Sequence, residues 1–191
     1  MKKSKVFWGY LALAAAVLVI VQVLINTGAL NLHYENLFIT MCINVILAVS
    51  LHLVIGITGQ FSIGHAGFLA VGAYISAIFT MKFDQPFIVA ILAGAVVAAL
   101  AGAIVGIPTL RLKGDYLAIA TLGFAEIIRI IFLNIDYVGG AAGMQVTHQS
   151  NWITAFTCMV ITILVIANFT KSRDGRACIS IREDEIAADA M

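Results

Sequence analysis

The sequence predicts an all-α polytopic membrane protein with about six transmembrane segments, one of them broken by glycines, and a short cytoplasmic helix after the last span. Charged residues make up only 11% of the 191 residues and hydrophobic residues 62%, with a mean hydropathy of +1.04. A soluble domain carries roughly 25% charged residues, so these few charges cannot cover an aqueous surface. Four stretches without Asp, Glu, Lys or Arg are each long enough for one or two spans of about 20 residues: Val6–Tyr34, Asn36–Met81, Gln85–Leu110 and Tyr137–Thr170.

Five of the six spans come from dividing these stretches, and the other is the apolar segment Asp115–Leu133 between two of them. Asn36–Met81 is too long for one helix, and Gly56–Gly64 is the part of it with turn chemistry, so we expect the chain to reverse there. A membrane domain is therefore predicted over residues 1–170 and a cytoplasmic segment over 171–191. The predicted spans are Phe7–Ile25, Leu37–Thr58, Ser62–Thr80, Pro86–Leu110, Asp115–Leu133 and Trp152–Thr170.

The basic residues predict the orientation of these spans, because Lys and Arg accumulate in cytoplasmic loops. With a cytoplasmic N-terminus, nine of the 11 Lys and Arg lie on the cytoplasmic side, Lys82 lies outside and Arg129 lies within a span. We therefore expect both the N-terminus and the last segment in the cytoplasm. The nine are Lys2, Lys3, Lys5, Arg111, Lys113, Lys171, Arg173, Arg176 and Arg182.

Small residues recur every four positions in the fourth span, at Gly94, Ala98, Gly102 and Gly106. Such a row lies on one face of a helix and lets a neighbouring backbone approach closely. We interpret Gly94, Gly102 and Gly106 as helix-packing residues. Trp152, near the predicted outer end of the last span, is expected in an interfacial aromatic belt.

Glu126 and Arg129 lie within the fifth span, three residues apart and therefore on one helix face. Glu126 is about 16 Å along the helix from Asp115, near the midplane of the bilayer. Ionisable groups at that depth are costly and tend to mark transport pathways. Two interpretations stay open: a mutually neutralising pair buried against another helix, or a part of a solute path that suits a zwitterion.

Gln60, Ser62 and His65 occupy the glycine-rich break before the third span. A helix that begins near Ser62 would present unpaired backbone N–H groups, and discontinuous helices of this kind bind anionic groups in transporters. The alternative is an ordinary tight turn capped by Ser62, with His65 as a packed polar residue.

The sequence shows no catalytic, metal-binding or nucleotide-binding motif. The cysteines Cys42, Cys158 and Cys178 have no metal-ligand spacing, and we interpret them as small core residues. A phosphate-binding GxxxxGK[ST] loop is absent from the sequence. We expect a non-catalytic chain that binds no cofactor, metal or nucleic acid and hydrolyses no ATP by itself.

The last segment, Lys171–Met191, favours an amphipathic helix, with Ile179, Ile186 and Ala190 at near-helical spacing. It is either a solvated tail or a docking element for a soluble partner. We favour docking, because the chain exposes so little else on that side.

Four motifs in order resemble the permease subunits of branched-chain amino acid importers of the ATP-binding-cassette class, the LivM type. The resemblance runs from about residue 40 to the end. Val138 stands where that family usually has threonine. The motifs are LHLVIGITGQFSIGHAGFLAVGAYISA (Leu51–Ala77), LRLKGDYLAIATLGFAEIIRIIFLN (Leu110–Asn134), YVGGAAGM (Tyr137–Met144) and GRACISIREDEIAADAM (Gly175–Met191).

The resemblance implies a subunit of an importer for branched-chain or related amino acids in the bacterial plasma (inner) membrane. Its partners would be a second permease subunit, two cytoplasmic ATP-binding subunits that hydrolyse ATP, and an external solute-binding protein. Because members of the family continue with further spans, we expect this chain to be a piece of a longer permease. The ATPase-coupling segment would include Arg182, Glu183, Glu185 and Ala188.

Two other functions are compatible with the residues. A secondary transporter or channel would use Glu126 and Arg129 as ion- or proton-linked groups. A membrane scaffold without transport is disfavoured by the glycine-broken third span and the intramembrane charges. The cytoplasmic tail separates these hypotheses, because a self-sufficient carrier needs no docking helix.

Overall fold

The computed structural model describes residues 2–28, 30–109, 111–112, 114–146 and 150–183, and all regular structure within them is helical. A π-helical turn, Leu53–Ile57, directly follows α2, and two short 3₁₀ turns, Asp136–Val138 and Gly140–Ala142, follow α5. The α-helices are α1 (Lys2–Asn26), α2 (Leu32–His52), α3 (His65–Lys82), α4 (Phe87–Thr109), α5 (Asp115–Asn134), α6 (Trp152–Lys171) and α7 (Arg173–Glu183).

Each predicted span overlaps one of the helices α1 to α6. Five described segments are long and apolar enough to cross a membrane: Trp8–Asn26, Leu32–Ile57, Phe87–Thr109, Asp115–Asn134 and Trp152–Lys171. The chain is therefore an all-α, multi-pass membrane protein, as predicted. The sixth predicted span corresponds to α3, an 18-residue helix that begins and ends on polar residues, and its crossing of the membrane stays a prediction.

The described chain forms two compact units, Met1–Leu53 with Ser150–Ala177 and Val54–Gln149 with Cys178–Met191. The first unit packs α1, α2 and α6 around Trp152, which is only 5% exposed. The indole Nε1 of Trp152 donates to the carbonyl of Leu18 at 3.4 Å, and the ring of Phe38 meets the indole edge-on at 5.6 Å between centroids. Trp152 is thus a core residue, and its prediction as an interfacial anchor was wrong.

Cys42 belongs to the same core and is 4% exposed, which confirms its interpretation as a small buried residue. The core forms because α1, α2 and α6 each bring an apolar stripe to one line of contact. Because lipid tails are as apolar as these side chains, the three helices associate through van der Waals packing, to which the large buried ring of Trp152 contributes.

The second unit is arranged around α3, which contacts both α4 and α5. On the α4 side the closest approach joins Gly72 and Gly94: a Cβ added at Gly94 would lie 2.5 Å from the carbonyl oxygen of Gly72. Added Cβ atoms at Gly102 and Gly106 would meet no described atom within 4 Å. Gly94 therefore packs against a neighbouring backbone, whereas Gly102 and Gly106 have no such neighbour among the described residues.

Candidate functional site

A cavity of about 350 Å³ opens between α3 and α5 in the second unit. This volume is within the range of roughly 300–1,000 Å³ typical of small-molecule sites. Most of its wall is apolar, and its two charged residues both come from α5. The lining consists of Ile63, Ala66, Gly67, Ala70, Tyr74, Leu122, Ala125, Glu126, Arg129, Phe132 and Leu133.

One end of the cavity is a close contact between the start of α3 and the middle of α5. A Cβ at Gly64 would lie 2.7 Å from the carbonyl oxygen of Thr121, and a Cβ at Gly67 would lie 2.8 Å from the Cα of Ala125. Real Cβ atoms essentially never approach backbone so closely, so only glycine permits this contact. The two helices touch here because both positions lack a side chain.

The other end of the cavity is formed by two aromatic rings. Tyr74 of α3 stacks on Phe132 of α5 with 4.3 Å between ring centroids and 14° between ring planes. Such bulky side chains separate helix backbones that glycine would bring together. The cavity lies between α3 and α5, with the glycine contact at one end and the ring pair at the other.

Glu126 and Arg129 form the predicted ion pair on this wall. The Nε of Arg129 donates to Glu126 Oε2 at 3.0 Å and to Oε1 at 3.2 Å. The side chains are 65% exposed for Arg129 and 52% exposed for Glu126. Within the described chain the pair is therefore not buried against another helix, as one of the two interpretations expected. Among the described residues, Arg129 makes these hydrogen bonds through Nε and none through its terminal nitrogens.

Gln60, Ser62 and His65 are half-buried in the break and do not line the described cavity. The helix begins at His65 with Gly64 as its N-cap and without a side-chain cap, so Ser62 as a helix cap was wrong. The physical reason is that the helix begins three residues after Ser62, so Ser62 lies two residues before the N-cap position from which a side chain bonds the first free N–H groups. The residues predicted for the solute path thus fall into two groups. Glu126 and Arg129 lie on the cavity wall, whereas the other three lie in or next to the adjacent break.

The break itself is stabilised by hydrogen bonds whose donors do not belong to a regular helix. Val54 O accepts from Gln60 N–H at 3.3 Å and also from the hydroxyl of Thr58. The bond from Ile63 N–H to Thr121 ties the far end of the break to α5. Backbone groups in an apolar surrounding need such partners. The sequence predicted the break from its glycines but not the π-helical turn before it.

The predicted coupling residues lie partly in the described chain. Arg182 Nη1 donates to the carbonyl of Gly56 at 2.9 Å, and its guanidinium also pairs with the carboxylate of Glu183. Glu185 and Ala188 lie outside the described residues. Arg182 therefore contacts the π-helical turn, a contact that no sequence pattern indicated.

Sequence reasoning also missed Thr121 and the Tyr74–Phe132 pair. A buried threonine in an apolar helix was a usable signal, since its hydroxyl needs a partner. The ring pair has no sequence signal, because its members are 58 residues apart.

Within the described residues there is no cluster of three His, Cys, Asp or Glu side chains that could hold a metal ion.

Known proteins resemble this chain over most of its length. A family model for the permease component of branched-chain amino acid transport systems matches residues 33–191. Two relatives named high-affinity branched-chain amino acid transport system permease protein LivM, from Salmonella typhimurium and Escherichia coli, are each 32% identical over 185 residues. The alignments cover 78% of this chain and 44% of each relative, so the chain spans less than half the length of these relatives. No solved structure matches the chain significantly.

Proposed function

The chain belongs to the family of permease components of branched-chain amino acid transport systems, and on this premise we propose that it forms part of the solute path of an ATP-driven importer. The solute is a branched-chain or chemically related amino acid. The chain itself is non-catalytic, and ATP is hydrolysed by two cytoplasmic subunits that bind to it. A second permease subunit and an external solute-binding protein complete the importer.

The cavity between α3 and α5 is the observation that carries this proposal. Its wall offers a carboxylate from Glu126 and a guanidinium from Arg129 next to a largely apolar surface. An amino acid zwitterion needs one group of each sign, and a branched aliphatic side chain needs an apolar surface. Charged hydrogen bonds from Arg129 to a carboxylate are stronger than neutral ones.

The charge pattern supports the proposed orientation. A cytoplasmic N-terminus places the segment after α6, with Lys171, Arg173 and Arg176, on the cytoplasmic side. ATP-binding subunits would reach α7 there. The proposed location is the plasma (inner) membrane of a bacterium, where an external binding protein delivers the solute.

The proposal is tested with the full-length permease and its partner subunits in proteoliposomes, by measuring ATP-driven uptake of radiolabelled leucine. Glu126→Gln and Arg129→Gln each remove one charge from the cavity wall. A hydrogen bond to a charged group contributes about 1.5–3 kcal/mol, so uptake should fall by roughly 10- to 100-fold.

Asp115→Asn is the matched control, because it removes an exposed carboxylate from the same helix at a position outside the cavity lining. It should leave uptake unchanged. Wild-type uptake by both cavity variants would overturn the role of the cavity. Uptake driven by an ion gradient without ATP would identify a secondary transporter instead.

A further inference from the structure

A groove of about 480 Å³ lies in the first unit, between α1 and α6. It shares no lining residue with the cavity between α3 and α5, and the proposed solute path makes no use of it. Its floor belongs to the core of the unit, since Phe156 is only 7% exposed and Ala14, Met159 and Val160 pack against this core. The groove is therefore an apolar space that the side chains of the two helices leave open.

The polar side chains of the groove are gathered at one end. Trp152, at the start of α6, bonds the carbonyl of Leu18, which lies well along α1, so the two helices run antiparallel. Tyr10, near the start of α1, therefore lies at the same end as Asn168 and Lys171 of α6, and all three line the groove. The groove thus has a long apolar part and a short polar mouth.

The mouth of the groove is positively charged. Lys171 lines it, and Arg176 Nη1 donates to the Lys171 carbonyl at 3.1 Å, which brings a second cation to the same turn. Residues 171–176 contain three basic residues and one acid, Asp174, and so carry a net charge of +2. Among the described residues that line the groove there is no Asp or Glu. The mouth therefore suits an anionic group.

The length of the groove matches one leaflet of a bilayer. Along α6 the lining extends from Phe156 to Lys171, about 22 Å at the rise of an α-helix. The hydrocarbon core of a bilayer is about 30 Å thick, so one leaflet supplies acyl chains of about 15 Å and the remainder lies at headgroup level. Leu13 and Ile163, on the rim, are 64% and 38% exposed, so the groove opens toward lipid.

The lining favours an acyl chain over another helix. Contacts between membrane helices use small residues that let the backbones approach, as Gly72 and Gly94 do in the second unit. The described lining of the groove contains no glycine and consists mostly of large aliphatic, aromatic and methionine side chains. A flexible hydrocarbon chain follows such an uneven surface, whereas a helix cannot come close to it.

We propose that the groove between α1 and α6 binds an anionic phospholipid, with an acyl chain on the apolar floor and the phosphate at Lys171. The lipid comes from the leaflet at the C-terminal end of α6, which is the cytoplasmic leaflet in the proposed orientation. Basic residues at that surface attract anionic lipids. The bound lipid fills the space between the two helices and stabilises their contact. This inference goes beyond the proposed solute path and does not depend on it.

Native mass spectrometry of the purified full-length permease in detergent measures the bound lipid directly. Phosphatidylglycerol, which is anionic, and phosphatidylcholine, which is zwitterionic, are added in equal amounts with the same acyl chains, and the retained molecules of each are counted. Dihexanoyl phosphatidylglycerol keeps the headgroup but shortens the chains. Glycerol phosphate has no chain and tests whether a soluble phosphate compound is the ligand instead.

The wild-type protein should retain phosphatidylglycerol in preference to phosphatidylcholine, and neither the short-chain lipid nor glycerol phosphate should displace it. Lys171→Gln should lower the retention of phosphatidylglycerol by about fivefold, the loss expected for one basic side chain near an anionic lipid. Ile163→Trp places a large ring in the apolar part and should lower the retention of both lipids. Phosphatidylglycerol should also raise the thermal transition of the wild type but not that of these variants.

Each variant has a matched control. Arg111→Gln removes an exposed basic residue from the turn between α4 and α5, outside the groove lining. Val165→Trp adds the same ring to α6 at an exposed position that does not line the groove. Both controls should retain the lipids as the wild type does and show the same rise in thermal transition.

The proposal is overturned if the wild type retains the two lipids equally, or if Lys171→Gln and Ile163→Trp both retain phosphatidylglycerol as the wild type does. Displacement by glycerol phosphate would identify a soluble anion as the ligand and also overturn it. A complete absence of retained lipid would do the same and would indicate that another span covers the groove. None of these results bears on uptake by the Glu126 and Arg129 variants, so the two proposals fail separately.

Discussion

The two faces of α3 show how one helix serves packing on one side and a cavity on the other. Toward α4, Gly72 and Gly94 bring backbone against backbone, and Ala98 lies 3.6 Å from the Cβ position of Gly72. Toward α5, the contact is similarly close at Gly67 and then gives way to the cavity before Tyr74. Both faces are built from small residues, so side-chain size at the contact alone does not distinguish them.

The two faces differ in the residues that lie beyond the glycine contact. On the α4 face Ser76 continues the close approach, with its Cβ 3.3 Å from the Cβ position of Gly94. On the α5 face two large rings, Tyr74 and Phe132, stack on each other and line the cavity. Small-residue stripes therefore predict close contact between helices, but they do not predict the cavity that lies beside this contact and next to the aromatic pair.

The largest expected effect comes from breaking the α4 face with Gly94→Leu. The new side chain would collide with the backbone of Gly72, which cannot move aside as a flexible side chain can. Overpacking of this kind costs about 3 kcal/mol or more, so the purified protein should lose several degrees in its thermal transition in detergent.

Gly102→Leu, in the same helix, is the control, because an added Cβ at that position meets no described atom. It should leave the transition within about 1 °C of wild type, in line with surface substitutions that change stability by less than about 0.5 kcal/mol. Equal transitions for both variants would show that the Gly72–Gly94 contact does not hold α3 to α4.

A smaller effect is expected from Thr121→Val at the close end of the α5 face. Valine keeps the shape but leaves the N–H of Ile63 without its acceptor. Because this bond is only partly buried, its loss should cost about 0.5–1.5 kcal/mol, the net contribution of a typical hydrogen bond. Hydrogen exchange of the peptide that spans residues 56–64 should accelerate accordingly.

Thr157→Val is the matched control for this substitution, since the Thr157 hydroxyl is exposed and bonds only the carbonyl of Ile153 in its own helix among the described residues. Hydrogen exchange of residues 56–64 in the Thr157→Val variant should equal that of wild type. Unchanged exchange in Thr121→Val would mean that Thr121 does not stabilise the break.

The smallest expected effect concerns the stacked rings of Tyr74 and Phe132 at the aromatic end of the cavity. A double-mutant cycle of Tyr74→Leu and Phe132→Leu should give a coupling free energy of about 0.5–1.5 kcal/mol for the stacked rings. Unfolding by denaturant in mixed micelles measures it. Additive effects of the two substitutions would show that the rings do not act together to hold the cavity open.

Much of the fold was predictable from the sequence, because composition and charge placement report directly on the surrounding solvent. Charge-free stretches predicted helices at the positions of α1 to α4 and α6, and the Glu126–Arg129 pair of α5 was expected from helical spacing. The glycines at 56, 59 and 64 predicted a break. Each of these conclusions depends on residues that are close together in the chain.

The tertiary structure decided which surfaces meet, and that depends on contacts between distant residues. It assigned Trp152 to a core, separated Gly94 from Gly102 and Gly106, and brought Arg182 to Gly56 across 126 positions of sequence. Periodicity gives the face of a helix but not the neighbour that covers it, so the cavity and the contact of Arg182 with Gly56 emerge only when the helices are packed.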